Sequence, residues 1–185
     1  MRLFVAIPLP ADLAVEASAA LPDIPALRRV RPEHLHITLA FLGAVADDRL
    51  ADVISATRAA AATQPPFTVT LEGVGRFPEN GAPRVIWMGI VLGARETTNL
   101  AAVLRHALTE RDLPFDDKPF RAHVTLGRVA QDADRATARA IAASTDRLRA
   151  PKLRFEAEAL IPFESVLSPK GARYRPAAAV PLGRA

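Results

Sequence analysis

Two of the chain's histidines lie in the same four-residue pattern. His36-Ile37-Thr38-Leu39 and His123-Val124-Thr125-Leu126 each contain a histidine, a β-branched apolar residue, a threonine and a leucine. The chain has only four histidines, so half of them occupy this pattern. A repeat in matching contexts is a stronger signal than either copy alone, and it predicts that the two copies contribute to one site.

The pattern fits a strand that presents a histidine and a threonine to one face. Residues i and i+2 of a strand share a face, so His36 would lie beside Thr38 and His123 beside Thr125. A pair of imidazoles suits hydrolysis of a phosphodiester, because one ring takes a proton from water while the other protonates the leaving oxygen. The threonine hydroxyls would donate to the non-bridging phosphate oxygens. This arrangement predicts no metal ion and no cofactor.

Strands and helices alternate along the chain around the two motifs. Apolar periodicity predicts that residues 34–43 and 122–129 are the motif strands, and that helices follow at about 50–62 and 132–143. The segment 27–32 is predicted to be an exposed basic loop. Further strands are predicted at 2–8, 67–74, 84–92, 152–162 and 174–182, and further helices at 11–21 and 96–111. The order β-α-β-α-β-β-α-β-α-β-β predicts a duplicated α+β fold.

Composition sets limits on the class of protein. A chain of 185 residues predicts one compact domain over 1–185, or two intimate halves that share a core. The absence of cysteine excludes disulfides, thiolate metal sites and cysteine nucleophiles, and it fits a cytoplasmic location. The opening apolar run is too short for a signal peptide or a membrane span. A net charge of +4 favours a polyanionic ligand, and a monomer is expected.

The motifs and their surroundings resemble the two-histidine (2H) phosphoesterase superfamily, and within it the RNA 2′,3′-cyclic phosphodiesterases, also called 2′-5′ RNA ligases. The resemblance covers nearly the whole chain. It rests on the two motifs and on segments that are similar to the family's opening strand, central strand and C-terminal hairpin: residues 2–7, Val85-Ile86-Trp87-Met88-Gly89, and Ser165 with Gly171-Ala172-Arg173-Tyr174.

The resemblance implies a bilobal α+β fold, with two antiparallel-rich sheets flanking a central cleft and with helices outside. It implies hydrolysis of a terminal 2′,3′-cyclic phosphate of RNA, or of a small cyclic nucleotide, to a 2′-phosphate. In the family's allocation, His36 protonates the departing 3′ oxygen and His123 activates water. A slow, ATP-independent ligation in reverse is also implied.

Two further residues are candidates for substrate binding. Arg128 follows His123 by five positions, where the family pattern also has arginine, and it could neutralise phosphate. Simple alternation places it on the face opposite His123, although Gly127 would permit a bend. Phe4 alternates against a buried face and could stack on a nucleobase in the cleft, although core packing is the simpler role.

The remaining aromatic and histidine side chains have simpler interpretations. Phe41 shares parity with the apolar face of its strand and is expected in the core, and Trp87 is expected to pack rather than to bind a base. His34 stands where the family commonly has asparagine. Alternation would place it beside His36, but a surface position at the strand edge is the simpler expectation. His106 lies in a predicted helix and has no catalytic role.

Four other functions remain to be weighed against this hypothesis. A metal-dependent hydrolase could use His34 and His36 as ligands, but no convincing carboxylate set lies nearby in the sequence. A non-catalytic RNA-binding module would not need two imidazoles and two hydroxyls. An ATP-dependent ligase needs a nucleophilic lysine, and none of the three lysines is in such a context: Lys118, Lys152 and Lys170. A related 2H enzyme that acts on 2′-5′ linkages or small cyclic nucleotides would share the same core.

Overall fold

The computed structural model describes residues 1–168 and 171–183 and has an α+β architecture. Lys170 lies outside the described residues. The strands are β1 (Arg2–Pro8), β2 (Leu27–Arg29), β3 (His36–Ala44), β4 (Phe67–Phe77), β5 (Val85–Leu92), β6 (His123–Val129), β7 (Leu153–Ala157), β8 (Ala159–Ser168), β9 (Gly171–Pro176) and β10 (Val180–Pro181). The helices are α1 (Ala11–Ala19), α2 (Leu50–Ala61), α3 (Ala94–Thr109) and α4 (Arg135–Arg147). The α+β fold class is therefore confirmed.

The described strands form one curled antiparallel sheet. Its order is β10-β8-β1-β3-β6-β5-β4-β7, with β2 added to β6 and β9 added to β8. The two predicted sheets are the two halves of this sheet, and they meet where β3 pairs with β6. The register of that pairing is a single antiparallel partnership, Ile37 opposite Val124. The two motif strands are therefore neighbours at the centre of the sheet.

The halves of the sheet exchange strands. Strand β4 follows α2 along the chain but pairs with β5 and β7 in the half that contains β6. Strand β8 comes after α4 and β7 but pairs with β1 in the half that contains β3. Each half is thus completed by a strand from the other part of the chain, which ties the two motif strands into one structure.

One hydrophobic cluster lies under both motifs. The apolar residues of the motifs are all buried, with exposed fractions of 0–1%: Ile37, Leu39, Val124 and Leu126. They belong to the same cluster as Val53 of α2 and Leu100 and Leu104 of α3. Burial of one strand face beneath helices leaves the opposite face, with the histidines and threonines, available to form a cleft. No helix in the described chain is long and apolar enough to span a membrane.

Both motif strands contain an extra residue directly after the threonine. In β3, Ala6 pairs with Thr38 and Val5 pairs with Ala40, so Leu39 has no partner in the register. In β6, Trp87 pairs with Thr125 and Ile86 pairs with Gly127, so Leu126 has none. Such a bulge reverses the facing of the residues that follow it. Consequently two consecutive residues are buried in each strand, Leu39-Ala40 and Leu126-Gly127.

Several predicted elements differ from the observed ones. The segment 27–32 was expected to be a loop, but Leu27–Arg29 forms β2, which pairs with β6, and Pro32–His34 forms a 3₁₀ turn. The predicted strand 152–162 is divided between β7 and β8, because the chain leaves β4 after Ala157 and then joins β1. Strand β8 then continues to Ser168, and residues 174–182 contain the end of β9 and all of β10.

The junction of β3 and β6 supplies a first test of this architecture. Ile37 is fully buried at the partnership that joins the halves, so Ile37→Ala should lower the free energy of unfolding by about 2–5 kcal/mol. Val15→Ala, at a side chain that is 59% exposed, should change it by less than about 0.5 kcal/mol. Urea unfolding followed by circular dichroism measures both. Equal stability of the two variants would contradict the buried junction.

Candidate active site

The pairing of β3 with β6 brings the two motifs together on one face. Around the antiparallel Ile37–Val124 partnership, His36 is directed towards Thr125 and Thr38 towards His123. Cross-strand neighbours of this kind have Cβ atoms roughly 4.5–5.5 Å apart, and diagonal neighbours roughly 7–8 Å. The two imidazoles are therefore diagonal to each other, with the two threonines on the other diagonal. The four side chains thus surround the space between the two strands.

Both imidazoles are held by the same backbone contact. The Nδ1 atom of His36 lies 2.6 Å from the carbonyl oxygen of His34, and the Nδ1 atom of His123 lies 2.6 Å from the carbonyl oxygen of Arg121. A carbonyl oxygen only accepts, so each Nδ1 must carry the proton and donate it. In the neutral rings, Nε2 is then the atom that can accept or return a proton.

The surroundings of His36 are aromatic. Its ring centroid lies 4.8 Å from that of Phe4 and 5.6 Å from that of Tyr174. This burial is the largest cause that lowers the pKa of His36 to about 4, while the hydrogen bond to the His34 carbonyl opposes it. The charges of His34, Arg128 and His123 lower it further. His36 is therefore neutral near pH 7.

His123 has a different aromatic environment. The ring of Phe77 meets it edge-on at 5.1 Å and that of Trp87 lies at 6.3 Å. Burial is again the first cause that lowers its pKa, and the charges of Arg128 and Arg121 add to this effect. Phe77 was not considered from sequence because the predicted strand ended at residue 74, whereas β4 continues to Phe77.

Two adjoining hollows open onto the motifs. The His36 hollow has a volume of about 120 Å³ and is lined by His36, Thr38, Thr125, Arg128, Ser165 and Tyr174, among others. The His123 hollow has a volume of about 320 Å³ and is lined by Thr38, Phe41, Phe77, Phe120, Arg121 and His123, among others. Thr38 and Phe41 line both hollows, so the hollows are two parts of one cleft and Thr38 stands at their junction.

The bulges explain where Phe41 and Arg128 lie. Phe41 was expected in the core, and that prediction was wrong: its ring is 39% exposed and lines both hollows. The extra residue Leu39 shifts the alternation of β3 and turns Phe41 onto the face of His36. In β6 the extra residue Leu126 has the same effect, so Arg128 lines the His36 hollow rather than the opposite face. Phe41 and Arg128 thus occupy equivalent positions after their motifs.

The aromatic side chains of Phe4 and Trp87 pack beside the two histidines. Phe4 lines the His36 hollow, but it is only 3% exposed, and its ring packs on Phe163 and His36. Phe4 therefore packs beneath the His36 ring at the base of the hollow, and its ring has no open face for a base. Trp87 packs against Phe77, in agreement with its predicted packing role.

The two other histidines have separate environments. His34 lies in a 3₁₀ turn rather than on a strand edge, its ring lies 4.5 Å from that of Tyr174, and burial lowers its pKa. Its carbonyl positions His36, a role that side-chain parity could not indicate. His106 is exposed on α3, near Glu110. Within residues 1–168 and 171–183, no group of three or more His, Cys, Asp or Glu side chains is arranged to hold a metal ion.

Comparison with known proteins identifies the family. The family model of LigT-like phosphoesterases matches residues 7–87 and 92–174, and the chain therefore belongs to the LigT-like (2H) phosphoesterases. It is 41% identical to an RNA 2′,3′-cyclic phosphodiesterase of Archaeoglobus fulgidus over 133 residues, which are 70% of this chain and 73% of the relative.

Solved structures give the same result over the whole chain. The protein TT0787 of Thermus thermophilus is similar with a TM-score of 0.79 and 31% identity, covering 99% of this chain and 98% of that one. LigT of Escherichia coli, complexed with 3′-AMP, is similar with a TM-score of 0.76 and 26% identity over 99% and 98% of the two chains. The recognition of the 2H family from its motifs is thereby confirmed.

The environment of His36 leads to a prediction about protonation. Its folded pKa lies below that of an unfolded histidine, so the unfolded state binds the proton first as the pH falls. The free energy of unfolding should therefore fall as the pH is lowered from about 6.5 to about 4, with no contribution from His36 above that window. Imidazole NMR titration should give a midpoint for His36 near pH 4, and His36→Gln should reduce the pH dependence of stability. A His36 midpoint at or above the ordinary value of 6.5 would contradict the buried environment.

Proposed function

We propose that the chain hydrolyses the 2′,3′-cyclic phosphate at the end of an RNA strand to a 2′-phosphate, with His36 and His123 as an acid/base pair. The observation that carries this proposal is the diagonal arrangement of the two imidazoles across the β3–β6 junction. Each ring is fixed through Nδ1 to a backbone carbonyl, which leaves both Nε2 atoms for proton transfer to and from one phosphate.

The threonines complete the proposed phosphate site. Neither Thr38 nor Thr125 has a side-chain hydrogen-bond partner within the described part of the chain, and each lies across the junction from a histidine. Their hydroxyls can donate to the non-bridging oxygens of a phosphate held between the rings, where negative charge builds up during in-line attack. Arg128 adds a positive charge at the edge of the same hollow, which favours an anion.

The proposed reaction balances without another reactant. Water attacks phosphorus in line with the 3′ oxygen, the base removes the proton of the attacking water, and the acid returns a proton to the 3′ oxygen as its bond to phosphorus breaks. The product carries a 2′-phosphate and a free 3′-hydroxyl. In a ligation, the terminal hydroxyl of a second strand would attack phosphorus in place of water, and the bond to the 3′ oxygen would break in the same way.

Known proteins support the substrate class. The Archaeoglobus relative is named for RNA 2′,3′-cyclic phosphodiesterase activity, and the E. coli structure contains a nucleoside monophosphate. The guanidinium carbon of Arg2 lies 5.7 Å from the centroid of the Phe41 ring, and the exposed remainder of that ring, between the two hollows, is where a base of the substrate can stack. The His123 hollow, about 320 Å³ in volume, is of the size that small ligands occupy in proteins.

The roles of the two rings can be allocated in two ways. The family resemblance implies His36 as acid and His123 as base, and we propose this allocation. It requires that the bound phosphate anion raise the pKa of His36, which an opposite charge at close range does. The low pKa of His36 in the free protein favours the reverse allocation, in which His36 is the neutral base.

Removal of either ring should abolish most of the activity. His36→Ala and His123→Ala should each lower kcat by about 10²–10⁴-fold on an oligonucleotide with a 2′,3′-cyclic phosphate end, the usual contribution of a general acid or base. His106→Ala, on the exposed face of α3, is the matched control and should keep full activity. The assay contains excess EDTA, and the product isomer is identified by chromatography. Full turnover by either variant would refute the acid/base pair, and loss of wild-type activity in EDTA would instead indicate a metal-dependent hydrolase.

The allocation of roles predicts a dependence on the leaving group. An aryl phosphodiester whose phenolate departs without protonation needs no general acid, so the loss in His36→Ala should become much smaller on this substrate than on the cyclic phosphate. The loss in His123→Ala should persist, because water must still be activated. Rates are compared as the ratio of wild-type to variant kcat/KM on the two substrates. The opposite pattern would assign the acid to His123.

A further inference from the structure

Two arginines lie directly opposite each other beside the cleft. In the pairing of β2 with β6, Arg28 is the partner of Arg128. Residues directly opposite in an antiparallel pair have Cα atoms roughly 4.5–5.5 Å apart and side chains on the same face. Among the strand pairings of the described residues, this is the only position at which two like charges are partners.

The orientation of β2 places Arg28 on the cleft side. Val30, two residues further along, lines the His36 hollow together with Arg128. Alternation gives Arg28 the facing of Val30. On the opposite face Leu27 is buried, and the guanidinium of Arg29 donates to the carbonyl of Leu21 at 2.6 Å. Both arginines are exposed, but Arg29 is engaged in this structural contact.

No carboxylate compensates the pair. Neither Arg28 nor Arg128 has a salt bridge or hydrogen bond among the described side chains. Two other cations beside the cleft are paired with carboxylates: Arg121 with Glu79 and Lys118 with Asp116. Like charges directly opposite in a sheet repel each other, and an anion bound between or beside them removes that repulsion. Guanidinium groups match phosphate in geometry and charge.

We propose that Arg28 binds the internucleotide phosphate on the 5′ side of the terminal nucleotide. The proposal rests on the proposed function. Arg128 lines the hollow of His36 and the two threonines and lies next to the reacting phosphate, whereas Arg28 is one strand further out along the same face. An RNA strand that leaves the cleft across β6 and β2 therefore presents its next phosphate to Arg28. Arg28 is thereby a determinant of preference for RNA ends over free cyclic mononucleotides.

The test compares two substrates that differ by one internucleotide phosphate. On a dinucleotide with a 2′,3′-cyclic phosphate end, Arg28→Ala should lower kcat/KM by about tenfold, which corresponds to about 1.4 kcal/mol. On a 2′,3′-cyclic mononucleotide it should leave kcat/KM unchanged. Arg154→Ala on β7 removes the same charge from an exposed strand position outside the cleft and should affect neither substrate. The melting temperature of Arg28→Ala without ligand should equal or exceed that of the wild type, because a repulsion has been removed.

A substrate with an uncharged internucleotide linkage tests whether Arg28 contacts that phosphate. A dinucleotide with a methylphosphonate in place of the internucleotide phosphate should be a poorer substrate for the wild type by a similar factor, and Arg28→Ala should be insensitive to this change. If the substitution and the methylphosphonate together cost no more than either alone, the internucleotide phosphate is the group that Arg28 contacts. Equal losses on mononucleotide and dinucleotide, or no loss on either, would overturn the proposal while leaving the proposed function intact. Failure of the wild type to hydrolyse either substrate would reject the proposed function itself.

Discussion

The antiparallel junction between β3 and β6 is the constraint on which the candidate site depends. One partnership, Ile37 with Val124, fixes the register of two sequence motifs that are far apart in the chain. A slip of one residue between these strands would put the two histidines on opposite faces of the sheet, one in the cleft and the other in the apolar core. The burial of Ile37, Leu39, Val124 and Leu126 in one cluster opposes such a slip, so the hydrophobic residues of each motif secure the position of its polar residues.

The sequence was sufficient to predict the pairs of histidine and threonine and their strand context, because a period of two and a repeated pattern are local signals. It was also sufficient for the α+β class and for the four α-helices of the described chain, within a few residues at their ends. It was not sufficient for β2, whose three residues form a strand only because β6 provides a partner. The division of residues 152–162 between β7 and β8 has the same origin, since the pairing partners β4 and β1 lie far away in sequence.

The bulges at Leu39 and Leu126 explain where side-chain parity fails within the site. Parity along an unbroken strand placed Phe41 in the core, and it placed Arg128 opposite His123 unless the strand bends at Gly127. The extra residue directly after each motif threonine reverses the facing of both side chains, and nothing in the composition of either strand marks its position. Gly127 is the nearest local signal: a Cβ there would come within 2.9 Å of Leu21 Cδ1 and 3.2 Å of the Arg28 carbonyl oxygen. The lack of a side chain at Gly127 is therefore needed for the close approach of β2, and not only for the bulge.

The electrostatics of the cleft favour an anionic ligand. Burial and nearby positive charge both lower the pKa values of His36 and His123, so protonation of either ring is unfavourable until negative charge enters. Arg28 and Arg128 also repel each other as long as no negative charge lies near them. A bound phosphate reverses both effects at once, because it attracts the arginines and favours the protonated imidazole that the proposed reaction needs. In the proposed reaction the acid therefore forms when the phosphate binds, and the backbone contacts at Nδ1 hold both rings in position before either is charged.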